Sequence, residues 1–447
     1  MKYTIALFFL FFGSFVLLAQ TFVVPTPQQI AWQQSELSAF LHFGVNTFTD
    51  KEWGEGTESP QIFNPVKFNA QKIVRTLKNA GFKRIIITAK HHDGFCLWQT
   101  AQTEHSIKNS PYKNGKGDIV KELSEACASQ GVKFGVYLSP WDRHEPVYGS
   151  SAYNDFYKKQ LRELLSNYGN INEVWFDGAK GENAKNMVYD FAGYWQLVRQ
   201  LQPNAVMFSD VGPDVRWVGN ESGNAGNTNW STITTMGMSP GVADEKYLNT
   251  GDADGKLWIP AETDVSIRKG WFYHASEDST VKSGAALMNL YFNSVGKNSL
   301  LLLNIPPNKK GELGDADVKS ILEFRKLLDL TFKYNLAEKV APASLTDKKP
   351  ETTLELKIGE PLVLDFKKKI VFNVLLLQEN IAQGQRIESG LFEFWNGTDW
   401  QLLKKFTTVG YKRLLKCDAV TTTKLRLTIL KSKGTVQLSE LGIYKQI

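Results

Sequence analysis

The sequence predicts an α/β fold: a (β/α)8-type, TIM-like barrel followed by an antiparallel β-sandwich. Three observations point there. Short apolar runs alternate with amphipathic helical segments from about residue 38, the pattern of a parallel sheet. Polar residues gather just after those runs, where βα loops build barrel sites. Near residue 340 the helical periodicity stops, and short strands with turn signals take over. A chain of 447 residues has room for a barrel of about 250 residues and a smaller module.

The barrel strands are expected at Leu41–Phe48, Arg84–Ala89, Lys133–Leu138, Glu173–Phe176, Ala205–Ser209, Leu257–Ala261 and Ser299–Ile305, with an eighth missed or degenerate. Between the first two, Ala70, Ile73, Val74 and Leu77 share one helical face. Asp118 suits an N-cap and Gly131 a stop for the next helix, whose apolar stripe holds Ile119, Leu123 and Cys127. Further helices are expected at 152–167, 185–201, 279–295 and 315–332. The later strands are expected at Leu354–Ile358, Ile370–Gln378, Leu391–Trp395, Leu403–Phe406, Lys424–Ile429 and Val436–Tyr444, with turns at Asn396-Gly397 and Lys433-Gly434. The division is therefore a leader at 1–20, a barrel domain at 21–340 and a sandwich at 350–447, with a polar linker around Leu345–Pro350.

Lys2 followed by the apolar run Ile5–Leu18 reads as a secretory leader cleaved near Ala19 or Gln20. The expected destination is the periplasm or the medium of a bacterium. No Cys follows the run, which disfavours a lipid anchor, and no later segment is apolar enough to span a bilayer. Three scattered cysteines, Cys96, Cys127 and Cys417, give neither a disulfide framework nor zinc spacing. A net charge of +6 with no dominant basic run argues against nucleic acid. Aromatic content of 12%, including 12 Trp, leans toward carbohydrate, because indole and phenol faces suit the apolar faces of sugars.

The chemistry centres on Val174-Trp175-Phe176-Asp177-Gly178, a short strand ending in a carboxylate. Glu221 follows 44 positions later (221 − 177), and two carboxylates on barrel loops are the minimum for cleaving a glycosidic bond with retention. Other polar groups close the remaining strands: Lys90-His91-His92-Asp93, Ser139-Pro140-Trp141-Asp142-Arg143, Asp210, Glu262 and Asn304. Adjacent histidines on a strand face opposite ways, so His91 and His92 are read as hydrogen-bonding groups rather than metal ligands. His42 has the same reading, with a satisfied core histidine as its rival. No metal or other cofactor is expected. No Gly-x-Ser-x-Gly elbow, phosphate loop or dinucleotide fingerprint is present.

Taken together, His42-Phe43-Gly44, Glu52-Trp53-Gly54, Lys90–Phe95, Tyr137–Trp141, Val174–Gly178 and Ile267–Phe272 resemble glycoside hydrolase family 29, the retaining α-L-fucosidases. The resemblance runs from about Pro25 to Pro307. It implies that Asp177 is the nucleophile and that His42, Glu52, Trp53, His91, His92, Tyr137 and Trp175 contact the fucose ring, with Arg216 and Trp271 also counted as substrate-binding. Arg216–Glu221 resembles the branch selective for α-1,3/1,4-linked fucose on branched oligosaccharides or glycoprotein glycans. That points to Glu221 as acid/base, with Glu262 as its rival. The C-terminal module resembles galactose-binding, discoidin-like domains, for which packing against the barrel is favoured over sugar binding. Alternatives are a broad-specificity α-L-fucosidase that also takes α-1,2, α-1,6 or aryl fucosides, another retaining barrel glycosidase, and a non-catalytic secreted fucose-binding protein.

Overall fold

A computed structural model describes residues 22–446, so the leader expected at 1–20 lies outside the described residues. Eight parallel strands close into a barrel in the order β1-β10-β9-β6-β5-β4-β3-β2. These are β1 (Leu37–Leu41), β2 (Arg84–Lys90), β3 (Lys133–Leu138), β4 (Glu173–Trp175), β5 (Val206–Ser209), β6 (Val215–Trp217), β9 (Ala261–Ser266) and β10 (Ser299–Asn304). A small antiparallel ribbon, β7 (Thr232–Ile233) with β8 (Leu257–Trp258), sits in the connection before β9. Helices form where caps and apolar spacing agree. In α3 (Ala70–Asn79) the Asn69 side chain accepts from Lys72 N at 2.9 Å, and Ala70, Ile73, Val74 and Leu77 are buried. In α4 (Ile119–Gln130) Asp118 accepts from Lys121 N at 2.8 Å, and Gly131, at φ 67°, ends the helix.

Three strand expectations are corrected. The first strand is Leu37–Leu41, and Val45–Thr49 is instead the short helix α2. Ser38 disguises this strand as a polar break, but inside the barrel its hydroxyl accepts from Arg84 Nη1 at 3.2 Å. The missing strand is β6, which follows β5 with no helix between them, so strand–helix alternation gives no sign of it. Leu257–Ala261 is not one barrel strand: Leu257–Trp258 pairs with β7, Pro260 interrupts, and the barrel strand starts at Ala261. Ala261–Ser266 reads as polar because its Glu262 and Asp264 face the barrel interior. Two helices are shorter than expected. The helix Phe191–Leu201 starts at its cap Asp190, and the helix Gly284–Asn293 at its cap Ser283.

Helix α1 (Pro27–Gln33) plugs the N-terminal end of the barrel with the fully buried Trp32. Its indole N–H donates to Glu173 Oε2 at 3.0 Å, and the same oxygen lies 3.1 Å from Arg84 Nη1. Above this polar layer Phe40, Ile86, Tyr137, Trp175, Phe208 and Leu302 fill the interior.

The C-terminal region is a six-stranded antiparallel sheet in the order β11-β16-β12-β15-β13-β14. Its strands are β11 (Leu354–Leu356), β12 (Pro361–Glu379), β13 (Ile387–Trp395), β14 (Trp400–Phe406), β15 (Arg413–Ser432) and β16 (Val436–Tyr444). β12 and β15 are much longer than expected, because their pairing continues past an irregularity between Asp365 and Ile370. Leu364, Phe372, Leu375, Phe392, Leu427 and Ile443, from both halves of the bent strands, share one core, so the sheet folds over itself.

Glu36, at the foot of β1, fastens this module to the barrel. Its carboxylate accepts from Tyr291 OH at 2.6 Å and Tyr411 OH at 2.7 Å, and it pairs with Lys412. Burial alone would raise its pKa, but Lys412 and the two hydroxyls hold it below the usual value. Glu36→Ala is expected to destabilise the protein by about 2–3 kcal/mol, by leaving a buried ammonium and two hydroxyls unpaired. Glu36→Gln, which keeps an acceptor for the tyrosines, should fall between the two in urea denaturation.

Candidate active site

Strand alternation builds the site. On β4 the inward column is Glu173, Trp175 and then Asp177, and on β9 it is Glu262, Asp264 and Ser266. Trp175, Asp177 and Asp264 from these columns reach a cavity of about 430 Å³ at the C-terminal mouth of the barrel. His42, Glu52, Trp53, His91, His92, Tyr137, Trp175, Asp177, Glu221 and Trp271 all line it, as do Phe40, Ala179 and Asp264.

Asp177 is held on both oxygens. Tyr137 OH donates to Oδ2 at 2.8 Å, and Ala179 N–H donates to Oδ1 at 2.7 Å. Trp175 lies beneath, stacked on Phe208 at 4.1 Å and 11°, with its indole N–H donating to Glu262 Oε1 at 2.8 Å.

The three histidines are neutral. Burial pulls the pKa of His42 down to about 3, takes His91 well below the usual range and lowers His92. Asn304 donates its Nδ2 to Ser266 Oγ at 3.0 Å and to Trp271 O at 2.7 Å, which leaves its Oδ1 to accept from His42 Nδ1 at 2.9 Å. Nε2 of His42 is then a free acceptor toward the cavity. Ser139 donates to Trp141 O, so His92 Nδ1 donates to Ser139 Oγ at 2.7 Å, and its Nε2 lies 3.9 Å from Asp177 Oδ2. Among the described residues no group of three or more His, Cys, Asp or Glu is arranged to hold a metal ion.

Glu221 stands on the opposite wall, on the loop after β6, and accepts from Trp271 Nε1 at 3.3 Å. Burial raises its pKa, opposed by that N–H and reinforced by Asp177 and Glu52. Asp264 accepts from Trp217 Nε1 at 2.8 Å, and burial followed by the Glu221 charge pushes its pKa well up. It was not among the residues expected at the site. Moving the start of β9 to Ala261 is the signal that would have found it, since Asp264 then follows Glu262 by one inward step.

Two expected residues sit elsewhere. Glu262 is fully buried below Trp175 and does not line the cavity, because it is the second residue of β9 rather than the group that follows a strand. Arg216 is also fully buried. Its guanidinium donates to Leu248 O at 2.9 Å, Trp230 O at 2.8 Å, Asn229 Oδ1 at 2.9 Å and Ile259 O. It anchors the loops behind the site and does not touch the cavity.

The α-L-fucosidase family profile matches residues 9–331. The chain belongs to the α-L-fucosidases of glycoside hydrolase family 29. It is 45% identical to α-L-fucosidase 1 of Arabidopsis thaliana over 94% of this chain and 87% of that protein. A glycoside hydrolase 29 family member from an unknown rumen bacterium superposes with a TM-score of 0.88 at 42% identity, covering 96% of this chain and 78% of the other. A family 29 fucosidase from Ruminococcus gnavus, solved in complex with fucose, gives a TM-score of 0.86 at 36% identity, covering 95% of each chain. The enzyme is an α-L-fucosidase, and its substrates are fucosylated glycans.

The role of Arg216 is open to test. A lysine cannot reach four acceptors at once, so Arg216→Lys should lower stability by about 2–3 kcal/mol in denaturant titration. A direct substrate contact would instead raise KM while leaving the unfolding midpoint unchanged.

Proposed function

We propose that this α-L-fucosidase is exo-acting and retaining, and that it prefers α-1,3/1,4-linked fucose on branched glycans. The observation that carries the mechanism is that Asp177 and Glu221 line one cavity in contrasting surroundings. Asp177 receives an O–H and an N–H donor, which suits an ionised nucleophile. Glu221 is partly desolvated and faces the negative charges of Asp177 and Glu52, which favours its protonated form. Asp177 attacks the anomeric carbon while Glu221 protonates the departing glycosidic oxygen. Glu221 then takes a proton from water, which hydrolyses the β-fucosyl ester and releases α-L-fucose. Retention calls for a carboxyl separation of about 5–5.5 Å in the loaded enzyme. The cavity is closed below by Phe40 and Trp175, which supports cleavage of terminal residues only. Trp175 in the floor and Trp53 on the rim form the apolar surface for the fucose methyl group. The linkage preference rests on the resemblance of the Arg216–Glu221 segment. The residue 1–20 leader belongs to the same proposal, with export to the periplasm or medium checked by N-terminal sequencing of the mature enzyme.

Asp177→Asn should lower kcat by roughly 10⁴-fold with the fold intact. NMR of the first product formed by the wild type should show α-L-fucose; β-L-fucose appearing first would reject the double displacement. Glu221→Ala should impair oligosaccharides about 10²–10⁴-fold while sparing activated aryl fucosides. If Glu262→Ala shows that dependence instead, the acid is misassigned. For linkage, Lewis-type trisaccharides should be cleaved far faster than 2′-fucosyllactose, with the difference in kcat as well as KM. Equal kcat/KM on both would remove the linkage claim and leave the mechanism standing.

A further inference from the structure

Beside the acid lies a chain of hydrogen bonds in which one residue, His274, has no part in the mechanism above. Its Nδ1 is 2.8 Å from Asp50 Oδ1, and its Nε2 is 2.6 Å from Glu52 Oε1. Both ring nitrogens therefore face carboxylate oxygens. An ionised carboxylate only accepts, so both nitrogens must carry hydrogen and the ring is an imidazolium.

Glu52 passes this constraint on. Its Oε1 also accepts from Phe272 N–H at 3.1 Å, and its Oε2 accepts from Trp271 N–H at 2.8 Å. Trp271 is fixed from the other side by Asn304 Nδ2, which donates to its carbonyl at 2.7 Å. The indole N–H of Trp271 then reaches Glu221 Oε2 at 3.3 Å. The approach is tight: a Cβ added to Gly270 would stand 2.3 Å from Glu52 Oε1 and 3.0 Å from the His274 ring. The bridge joins the loop after β1 to the loop after β9, two loops that no barrel strand pairing connects directly.

We propose that His274 is a positioning residue which, by bridging Asp50 and Glu52, holds the Trp271 indole against the acid/base Glu221. This rests on the reading of Glu221 as the acid. The charged groups around the ring are Asp50 and Glu52 across the gap, with Arg268, Glu277 and Asp278 on its own side. Arg268 Nη1 donates to His274 O at 3.2 Å and its Nη2 to Asp278 at 2.8 Å, while Glu277 Oε2 accepts from Gly270 N–H at 3.2 Å. Burial lowers the pKa of His274, but the bonds to Asp50 and Glu52 outweigh it and raise the value above the usual 6.5. A raised folded-state pKa means that the bridge is complete below pH 6.5 and is lost as pH rises through the higher value.

The test uses the full-length enzyme with two substrates, a branched fucosyl trisaccharide and an activated aryl fucoside. His274→Gln should lose about 10–100-fold in kcat on the trisaccharide, and several-fold less on the aryl fucoside, whose leaving group needs little protonation. The alkaline limb of its kcat/KM profile should move to higher pH, because Glu52 then acts on Glu221 without a compensating cation. Asp50→Asn, a change at an exposed side chain that should fold normally, should give the same substrate split on a smaller scale. Equal losses on both substrates with an unmoved alkaline limb would make His274 a structural latch and overturn the proposal. Glu221→Gln, measured alongside, separates the two readings. If it spares the trisaccharide, the assignment of the acid fails. If it behaves as the acid while His274→Gln shows no split, only the positioning role fails.

Discussion

The cavity rests on three ionisable side chains sealed inside the barrel. Arg84 brings one positive charge to Glu173 and Glu262, two carboxyls with no access to water. Arg84 and Trp32 supply Glu173 Oε2, and Trp175 supplies Glu262 Oε1. Glu173 Oε1 and Glu262 Oε2 have no hydrogen-bond partner among the described residues. Burial raises both pKa values, and the Glu173 charge adds to the rise at Glu262, which favours keeping one proton on the pair. One proton and one guanidinium against two carboxyls make the layer neutral. Taking away one member would strand a charge where solvation cannot reach it, a cost of about 3–5 kcal/mol. The layer therefore fixes Glu262, Glu262 fixes the Trp175 indole, and Trp175 sits one inward step below Asp177.

Above that floor the charge changes character. His42, His91 and His92 are neutral, so the histidine-rich wall adds hydrogen-bonding atoms to the cavity without adding positive charge. The ionisable groups that do face it are carboxyls: Asp177, Glu221, Asp264 and Glu52. A site lined this way favours positive charge, the sign that develops on the sugar ring in an oxocarbenium-like transition state. Burial, reinforced by the neighbouring carboxylates, raises the pKa of Glu221 and Asp264 and favours their protonated forms. Drawing in positive charge and holding protons on buried carboxyls thus come from a single arrangement.

How much of this could be read from sequence depended on whether polarity followed position. The fully apolar stretches within β2 and β10 and the capped helices α3 and α4 were legible, because burial and composition agree there. The strands that were misplaced or missed, β1, β6 and β9, carry Ser38, Arg216 and Glu262 as buried polar residues, and those read as loop or as functional groups. Asp177 is legible as a cavity residue because it lies just beyond a correctly placed strand. Glu262 lies buried below the expected rim and Asp264 lines the cavity in its place for one reason: a strand start misplaced by a few residues moves each inward side chain to a different depth. Arg216 shows a second limit. A motif can mark a segment without saying which of its residues face the substrate, and here the arginine turns inward to four acceptors while Glu221, five positions on, faces the cavity.

The two principal carboxyls are therefore held by different means. Asp177 follows a barrel strand directly and inherits its rigidity, with Tyr137 from the neighbouring strand β3 completing its setting. Glu221 sits on a loop organised mainly by itself: Asn220 Oδ1 accepts from Ser222 N–H at 3.1 Å, and Asn220 Nδ2 donates to Asn224 O at 2.9 Å. Groups on loops are less sharply placed than groups on strands unless surrounding residues fix them. The surrounding residues here are Arg216, which pins the adjoining segments from behind, and Trp271, which meets the carboxyl from in front. Trp271 in turn depends on Glu52 and Asn304, and Asn304 also orients His42. His42 and, through Trp271, Glu221 thus share a single side-chain amide at the end of β10, so a change at Asn304 would disturb both walls of the cavity together.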